Sequence, residues 1–540
     1  MKSESFLKGT VILISANAVS KILGATLKIP LTYILGEEGM AIYQTAFSVY
    51  IMLLSFITSG FPLALSKYIA EENAKQRLGN IRCAVHISMV IMSIAGVILS
   101  TVMFFGADFF ALAMKDPKSP LAIRAIAPAI LLVAVGAVYK SCYQGFSHMT
   151  PTAVSQVLEA FIKLIAGYFL AVMFSAFSVY YSSASAIFGV TAGEAFATLI
   201  LFLLFMPYRR ELSKTLCDSP RCDILKSLFS VAIPLTATSV ISGSLSLFET
   251  SVIRNRLASL TFTPSSAELF LNMYSKYTNI FGEILKTGHM SFDGARWLFG
   301  AYSGYAMTVF NLPIGILSSF CVSILPVITR CITLGDKTRL NGCISATLRI
   351  NLIISAPCAI LLSLFSNQIL QILFRNTASA LILSCTAPLI IVICISQIIS
   401  SVQYALGEVM TPFYYTLTAL FVKILLSYIL IAIPELNIFG AVIASYAANI
   451  LQLFLNFRSV KQKTCIKFPP ISSIAKILSS AATAGFFALL IYSPIFDIFQ
   501  NTFISFFLTA LLCIAVYLLL ILLVGALKKE ELVSLKTSNF

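Results

Sequence analysis

A chain of 540 residues that is 58% hydrophobic and 11% charged, with a mean hydropathy of +0.92, lies far from soluble globular domains, where about 25% of residues are charged. Its formal net charge of +15 is spread over short loops between apolar runs, which argues against a nucleic-acid partner and for membrane topology. The composition is that of an all-α polytopic membrane protein.

Crossing about 30 Å of hydrocarbon takes about 20 helical residues, and cutting the chain at its charged and turn-rich breaks gives 14 candidate transmembrane helices. The first, 9–35, follows Lys2 and Lys8 and carries a small Ala16-Asn17-Ala18 triplet, as a signal peptide would. Its early apolar run, Val11 to Ile14, is too short for such a peptide, and the pattern continues to Leu35, so an uncleaved span is expected. Asn17, Lys21, Gly24 and Lys28 fall at i, i+4, i+7 and i+11 and share one helical face. The two lysines on it are about 10 Å apart. A second span over 41–70 carries Gln44, Ser48, Ser55 and Ser59 on a similar stripe, with a kink expected near Pro62. That stripe either lines a cavity or hydrogen-bonds to a neighbouring helix.

Spans follow at 82–106, 121–145, 151–176 and 183–206. The fifth holds Lys163 one turn after Glu159, an order that suits either a salt bridge or a role in transport. The sixth holds Glu194, and the seventh, 225–254, ends with Glu249, Arg254 and Arg256, a candidate gate, ion-coupling group or fixed salt bridge. A long loop over 255–296 separates these from spans at 297–331, 343–365, 378–404, 412–433, 438–457, 472–493 and 499–526. Lys423 lies in the eleventh span with no acid one turn before it.

A repeat relates the halves. YQGFSHMTP at 143–151 matches YALGEVMTP at 404–412, each followed by a helix with the same cue, Phe161-Ile162-Lys163 and Phe421-Val422-Lys423. Ile187-Phe188-Gly189 recurs as Ile438-Phe439-Gly440. Two homologous six-helix lobes, 1–220 and 221–465, are expected, with two further helices and a short tail over 466–540. Such lobes enclose a central site that opens alternately to each side.

Twenty Lys and Arg residues fall in segments that are cytoplasmic if the N-terminus is inside, against nine in the outer loops. This bias places both termini in the cytoplasm. Eight cations lie within the spans, against three acids, Glu159, Glu194 and Glu249. Lys67, Lys140, Arg349 and Lys476 lie near cytoplasmic ends and are expected to snorkel. Lys21, Lys28, Lys163 and Lys423 are deeper, where a cation costs roughly 2.5–3.5 kcal/mol and needs water, a partner or a substrate. A net positive interior suits a phosphate or pyrophosphate cargo and repels cationic drugs. The 12 cysteines show no metal-ligand spacing, and no HExxH, Gly-rich nucleotide loop or paired carboxylate signature marks a catalytic or metal site.

The stretches SFLKGTVIL (5–13), SKILGATLKIPLTYILGEEGMAIYQTAF (20–47) and SGFPLALSKYIAEENA (59–74) resemble the stage V sporulation protein B family. That family belongs to the multidrug/oligosaccharidyl-lipid/polysaccharide exporter superfamily, with MurJ-type lipid II flippases and multidrug (MATE) exporters. The resemblance implies a V-shaped pair of lobes and transfer of an undecaprenyl-pyrophosphate-linked glycan to the outer leaflet in cell-wall or spore-cortex synthesis. It also implies a groove for the prenyl tail at the last two helices. Lys28 stands where the family usually has arginine, keeping the charge but losing the bidentate fork. The acidic cluster that binds sodium in some MurJ-type proteins has no counterpart in the eleventh or twelfth span.

The expected function is therefore a lipid-linked glycan flippase, not an enzyme, using no cofactor and driven by membrane potential or a cation gradient. Asn17, Lys21, Lys28, Gln44, Lys163 and Lys423 are the candidate cavity residues, and Glu194, Glu249 and Arg254 the gate or coupling residues. Membrane lipids and the cell-wall synthesis machinery are the expected partners. A cation-coupled multidrug exporter is the main alternative, kept open by Glu249; a membrane glycan polymerase or ligase would need acids of the outer loop, Glu268, Glu283 or Asp293.

Overall fold

The structure is a computed structural model that describes residues 6–58, 60–146, 148–212, 220–282, 284–318, 328, 337–406, 408, 410–463 and 471–525. Among these the chain is helical, with one isolated antiparallel bridge between Thr261 and His289. Ten of the described helices are long and apolar enough to cross a membrane, or eleven with the bent pair Ala380–Thr386 and Leu389–Ala405 as one span. Ser59, Glu283 and, among the cations expected on the cytoplasmic side, Lys2, Lys214, Lys467 and Lys528 lie outside the described residues.

The largest of these stretches, Ser15–Asn73, has 59 residues and would extend about 90 Å as one straight helix, far beyond a bilayer core. Within α1 (Phe6–Thr58) the backbone breaks at Gly36, whose φ of 62° and ψ of −170° only glycine adopts easily. Lys28 and Phe47 are 19 residues apart in sequence, about 28 Å along a straight helix. Yet Lys163 stacks over the Phe47 ring at 5.4 Å, and four residues on, a Cβ at Gly167 would lie 3.6 Å from Leu27, next to Lys28 in sequence. The chain therefore folds back at Gly36, making α1 two spans. The expected kink at Pro62 is instead a helix start: α2 runs Gly60–Ala74, and Pro62 occupies its first turn, where a missing N–H costs little.

Further along are α3 (Leu78–Phe105), the short α4 (Ala107–Ala113), α5 (Pro120–Gly145), α6 (Thr150–Ser175), α7 (Val179–Leu212) and α8 (Arg221–Ala258). The α6/α7 pair is held close by small residues: a Cβ on Gly189 would meet the Gly167 backbone at 2.5 Å, and one on Gly193 the Glu159 carbonyl oxygen at 2.8 Å. This close approach is the usual way apolar helices gain packing where no hydrophobic effect drives them together.

The chain forms two compact units, Met1–Leu271 with Tyr277–Gly304, and Asn272–Lys276 with Tyr305–Phe540. The first unit extends past the repeat boundary at residue 221 because α8 packs along α1 and α2, with Gly60 against Ala232 and Gly243 against Ser55. The loop after α8 is drawn together by Phe262 N–H donating to Gly288 O and Met290 N–H to Leu260 O. Phe262, Phe270, Phe281 and Trp297 then form a continuous chain of ring contacts with centroids 5.1–5.3 Å apart.

In the second unit the helix Lys337–Leu364 packs against Leu389–Ala405 and Ile471–Phe499. Ile471–Phe499 and Thr502–Leu523 form a hairpin whose turn is capped by Asn501, accepting from the N–H of Phe503 and Ile504. Tyr517 ties it to the core by donating to Ile353 O at 2.9 Å.

The repeated turns have the same backbone pattern. Phe146 N–H donates to Cys142 O and His148 N–H to Tyr143 O, while Leu406 N–H donates to Val402 O and Glu408 N–H to Gln403 O. The matching bonds are displaced by one residue relative to the sequence match, so the second turn has one more residue before its Met-Thr-Pro.

Candidate functional site

The first unit gathers five charged side chains between α1, α5, α6 and α7. Lys140 Nζ lies 3.5 Å from Glu159 Oε2, and Glu194, on α7, is 8% exposed. Lys163, on the same helix as Glu159, points instead over Phe47 of α1. Of the two readings of the Glu159–Lys163 spacing, the bridge is not formed: Glu159 pairs with Lys140, because the acid turns toward α5 and the lysine toward α1. Lys140 is correspondingly an ion-pair member and not a snorkelling end group.

Among the described residues neither Lys28 nor Lys163 has a carboxylate in salt-bridge range. Gly24, one turn before Lys28, would meet nothing within 4 Å if it carried a Cβ, so this face borders open space. Gln44, three residues before Phe47, leaves its buried Oε1 without a hydrogen bond. Two lysines outside salt bridges on packed helices, an aromatic face and an orphan polar atom make a site that would gain from an anion. Asn17 is half-buried and Lys21 exposed on the same stretch of α1, and Ser20 anchors it by donating to Gln156 O at 3.0 Å. Lys423 is half-buried in the helix Met410–Leu430 of the second unit, so the first unit's cluster forms without it.

A second cluster sits at the end of the first unit marked by the α1 break. Arg254 donates to Asp116 Oδ2 at 2.9 Å and also contacts Thr45; Arg296 reaches the other Asp116 oxygen at 3.3 Å and both Glu38 and Asp293 at 3.2 Å. Lys118 completes it at 2.6 Å from Glu38. Asp116, Arg254 and Arg296 are 0%, 5% and 2% exposed. Burial works against the charge on Lys118, but hydrogen bonds to Glu38 and Tyr180 and the Glu38 charge hold its pKa above the ordinary lysine value. The partner of Arg254 is therefore Asp116 and not Glu249, which stands half-buried on α8.

Asp116 and Arg296 were not singled out by sequence: 138 residues separate Asp116 from Arg254, and no local spacing links them. In the second unit Arg349 is 6% exposed and donates to Ser473 at 3.4 Å, so it is enclosed by helices where a snorkelling role was expected. Lys67 and Lys476 keep exposed positions, the first 3.8 Å from Glu71 and the second donating to Val524 O.

The chain is similar to stage V sporulation protein B of Bacillus subtilis, at 24% identity over 98% of both chains. It is also similar to the lipid II flippase MurJ of the same organism, at 25% identity over 68% of this chain and 65% of that one. Among solved structures it resembles a lipid II flippase MurJ in an inward closed conformation, with a TM-score of 0.65 and 17% identity over 94% and 98% of the two chains. An inward-facing MATE multidrug transporter gives a TM-score of 0.63 and 15% identity over 86% and 99%. These structural likenesses establish the fold. A family model for lipid II flippase MurJ matches residues 300–514. The model described as polysaccharide biosynthesis protein matches residues 6–332, more than half of the sequence and nearly all of the unit that holds both ion clusters; the chain belongs to that family.

Proposed function

We propose that the protein is a flippase that moves an undecaprenyl-pyrophosphate-linked glycan, lipid II or a related polysaccharide lipid, from the inner to the outer leaflet by alternating access. The observation that carries this reading is Lys28 and Lys163 on the packed helices α1 and α6, neither in a salt bridge among the described residues, on a face bordered by the open Gly24 position. Lysines outside a salt bridge are costly in a membrane unless an anion completes them. A pyrophosphate supplies that anion and a cationic drug does not, which favours the flippase over a multidrug exporter. The similarity to stage V sporulation protein B and to the lipid II flippase MurJ supports the same cargo class.

In this reading Lys21 and Lys28 receive the pyrophosphate and Lys163 and Lys423 keep the interior positive. The Asp116, Arg254 and Arg296 cluster closes the extracytoplasmic end, as the basic-loop bias places it. Both termini are cytoplasmic, and turnover draws on membrane potential or a cation gradient, with the cell-wall synthesis machinery receiving the product. Purified protein in lipid nanodiscs is expected to bind a short-chain prenyl pyrophosphate, and a Lys28→Ala, Lys163→Ala variant to lose that binding while still folding. Unchanged affinity in the double variant would contradict the site.

A further inference from the structure

The ion cluster at the α1 break carries one positive charge more than its carboxylates balance. Its cations are Lys115, Lys118, Arg254 and Arg296 and its carboxylates Glu38, Asp116 and Asp293, four against three. Burial sharpens the imbalance: the buried Arg254 and Arg296 share the buried Asp116, while the Glu38 and Asp293 side chains are 40% and 77% exposed and also serve Lys118. A buried guanidinium is costly unless its charge and its donors are matched. One donor is not matched, since the buried Arg296 Nε–H has no hydrogen-bond acceptor. Arg254, Arg296 and Lys115 line one small cavity of about 10 Å³, with Phe292, Ala258 and Ala295 as its apolar wall, and no carboxylate lines it. That volume holds one water-sized group, which suits a monatomic anion better than a phosphate with its four oxygens. Lys115 is brought there by the end of α4. Its φ of 46° is left-handed, and the N–H of Asp116 donates to Ala111 O at 2.8 Å, a helix ending at which glycine is the usual residue. A lysine in that position gives up backbone ease and supplies a cation to the cavity.

We propose that Lys115, Arg254 and Arg296 bind a halide ion, chloride in ordinary salt, in this cavity. The ion accepts from the Arg296 Nε–H, neutralises the extra charge of the cluster and lets two guanidinium groups stay buried on one carboxylate. The Phe292 ring, 6.0 Å from the Arg296 guanidinium, forms the apolar side of the site, which costs a weakly hydrated halide less than a phosphate. Because the ion is held only while Arg254 and Arg296 meet on Asp116, chloride stabilises that arrangement. The site shares no residue with the Lys28 and Lys163 face and stands whether or not the cargo is a pyrophosphate.

Chloride-35 NMR of the protein in nanodiscs, in sodium gluconate with increasing chloride, reads binding directly as saturable line broadening. Bromide should reverse the broadening, and inorganic phosphate at the same concentration should not. Arg296→Gln leaves the neutral Arg254–Asp116 pair and should lose the saturable broadening. Lys115→Gly suits the left-handed position, so this variant should fold at least as well in gluconate, yet bind chloride about two- to fivefold more weakly, the worth of one exposed charge. Replacing gluconate by chloride at constant ionic strength should also raise the thermal unfolding temperature of the unsubstituted protein and not that of Arg296→Gln. No saturable broadening in the unsubstituted protein, or broadening that both variants retain in full, would overturn the site; if Arg296→Gln does not fold, Lys115→Gly decides it. Displacement of chloride by phosphate at lower concentrations than by bromide would overturn the halide and make this a phosphate site.

Discussion

Lys28 and Lys163 illustrate how far single residues could be read in advance. The 3.6-residue period placed Lys28 on a face with Asn17, Lys21 and Gly24, and the structure leaves that face open at Gly24. The partners of the charges were not legible, since Glu159 has lysines within reach on two helices and periodicity does not say which it chooses. Lys28→Ala is expected to weaken pyrophosphate binding about 10- to 100-fold, the loss of one charge-assisted hydrogen bond of about 1.5–3 kcal/mol, and Lys28→Arg to retain it; titration calorimetry reads both. Asp116 is a structural counterpart. Asp116→Asn leaves Arg254 and Arg296 buried with their shared carboxylate gone, and should destabilise the first unit by about 3–5 kcal/mol in denaturant unfolding. Lys118 works in the opposite pH range from an acid. Its pKa is raised in the folded state, so its contribution is complete below the ordinary lysine value and is lost as pH rises through the folded value. Lys118→Met should remove that alkaline loss from a thermal-stability profile.

At the scale of helices, most spans followed from hydropathy, including α5 and α6 to within a residue of the expected 121–145 and 151–176. The interruptions were less visible. Gly36 alone breaks α1 because its positive φ reverses a chain that would otherwise continue as helix, while Pro62 begins a helix and kinks none. Gly36→Ala should cost about 1–3 kcal/mol of unfolding free energy for holding a side chain in that region. The α6/α7 contact is the stricter test of packing. Gly189→Leu forces a side chain against the Gly167 backbone and is expected to cost at least about 1–3 kcal/mol. The same substitution should lower pyrophosphate affinity, because α6 carries Lys163 and Glu159 into the site. A Leu variant with native stability and native binding would show that the helices can part without consequence.

At the scale of the whole molecule, the repeated Met-Thr-Pro turns and their shared backbone bonds connect sequence directly to architecture. The extent of the first unit was hidden, because α8 follows the repeat boundary in sequence yet packs with α1 and α2. Composition gave the membrane class, and the excess of lysines over acids within the spans gave the sign of the cargo; the chemical class of the cargo draws on the relatives. The central claim is transport of a lipid-linked pyrophosphate through a lysine-lined site. The direct measurement is leaflet exchange of a defined undecaprenyl-pyrophosphate-linked glycan in vesicles holding the purified protein, under an imposed membrane potential or cation gradient. The account predicts exchange well above that of protein-free vesicles, and its loss in the Lys28→Ala, Lys163→Ala variant. Exchange no faster than in protein-free vesicles, or undiminished in that variant, would contradict it.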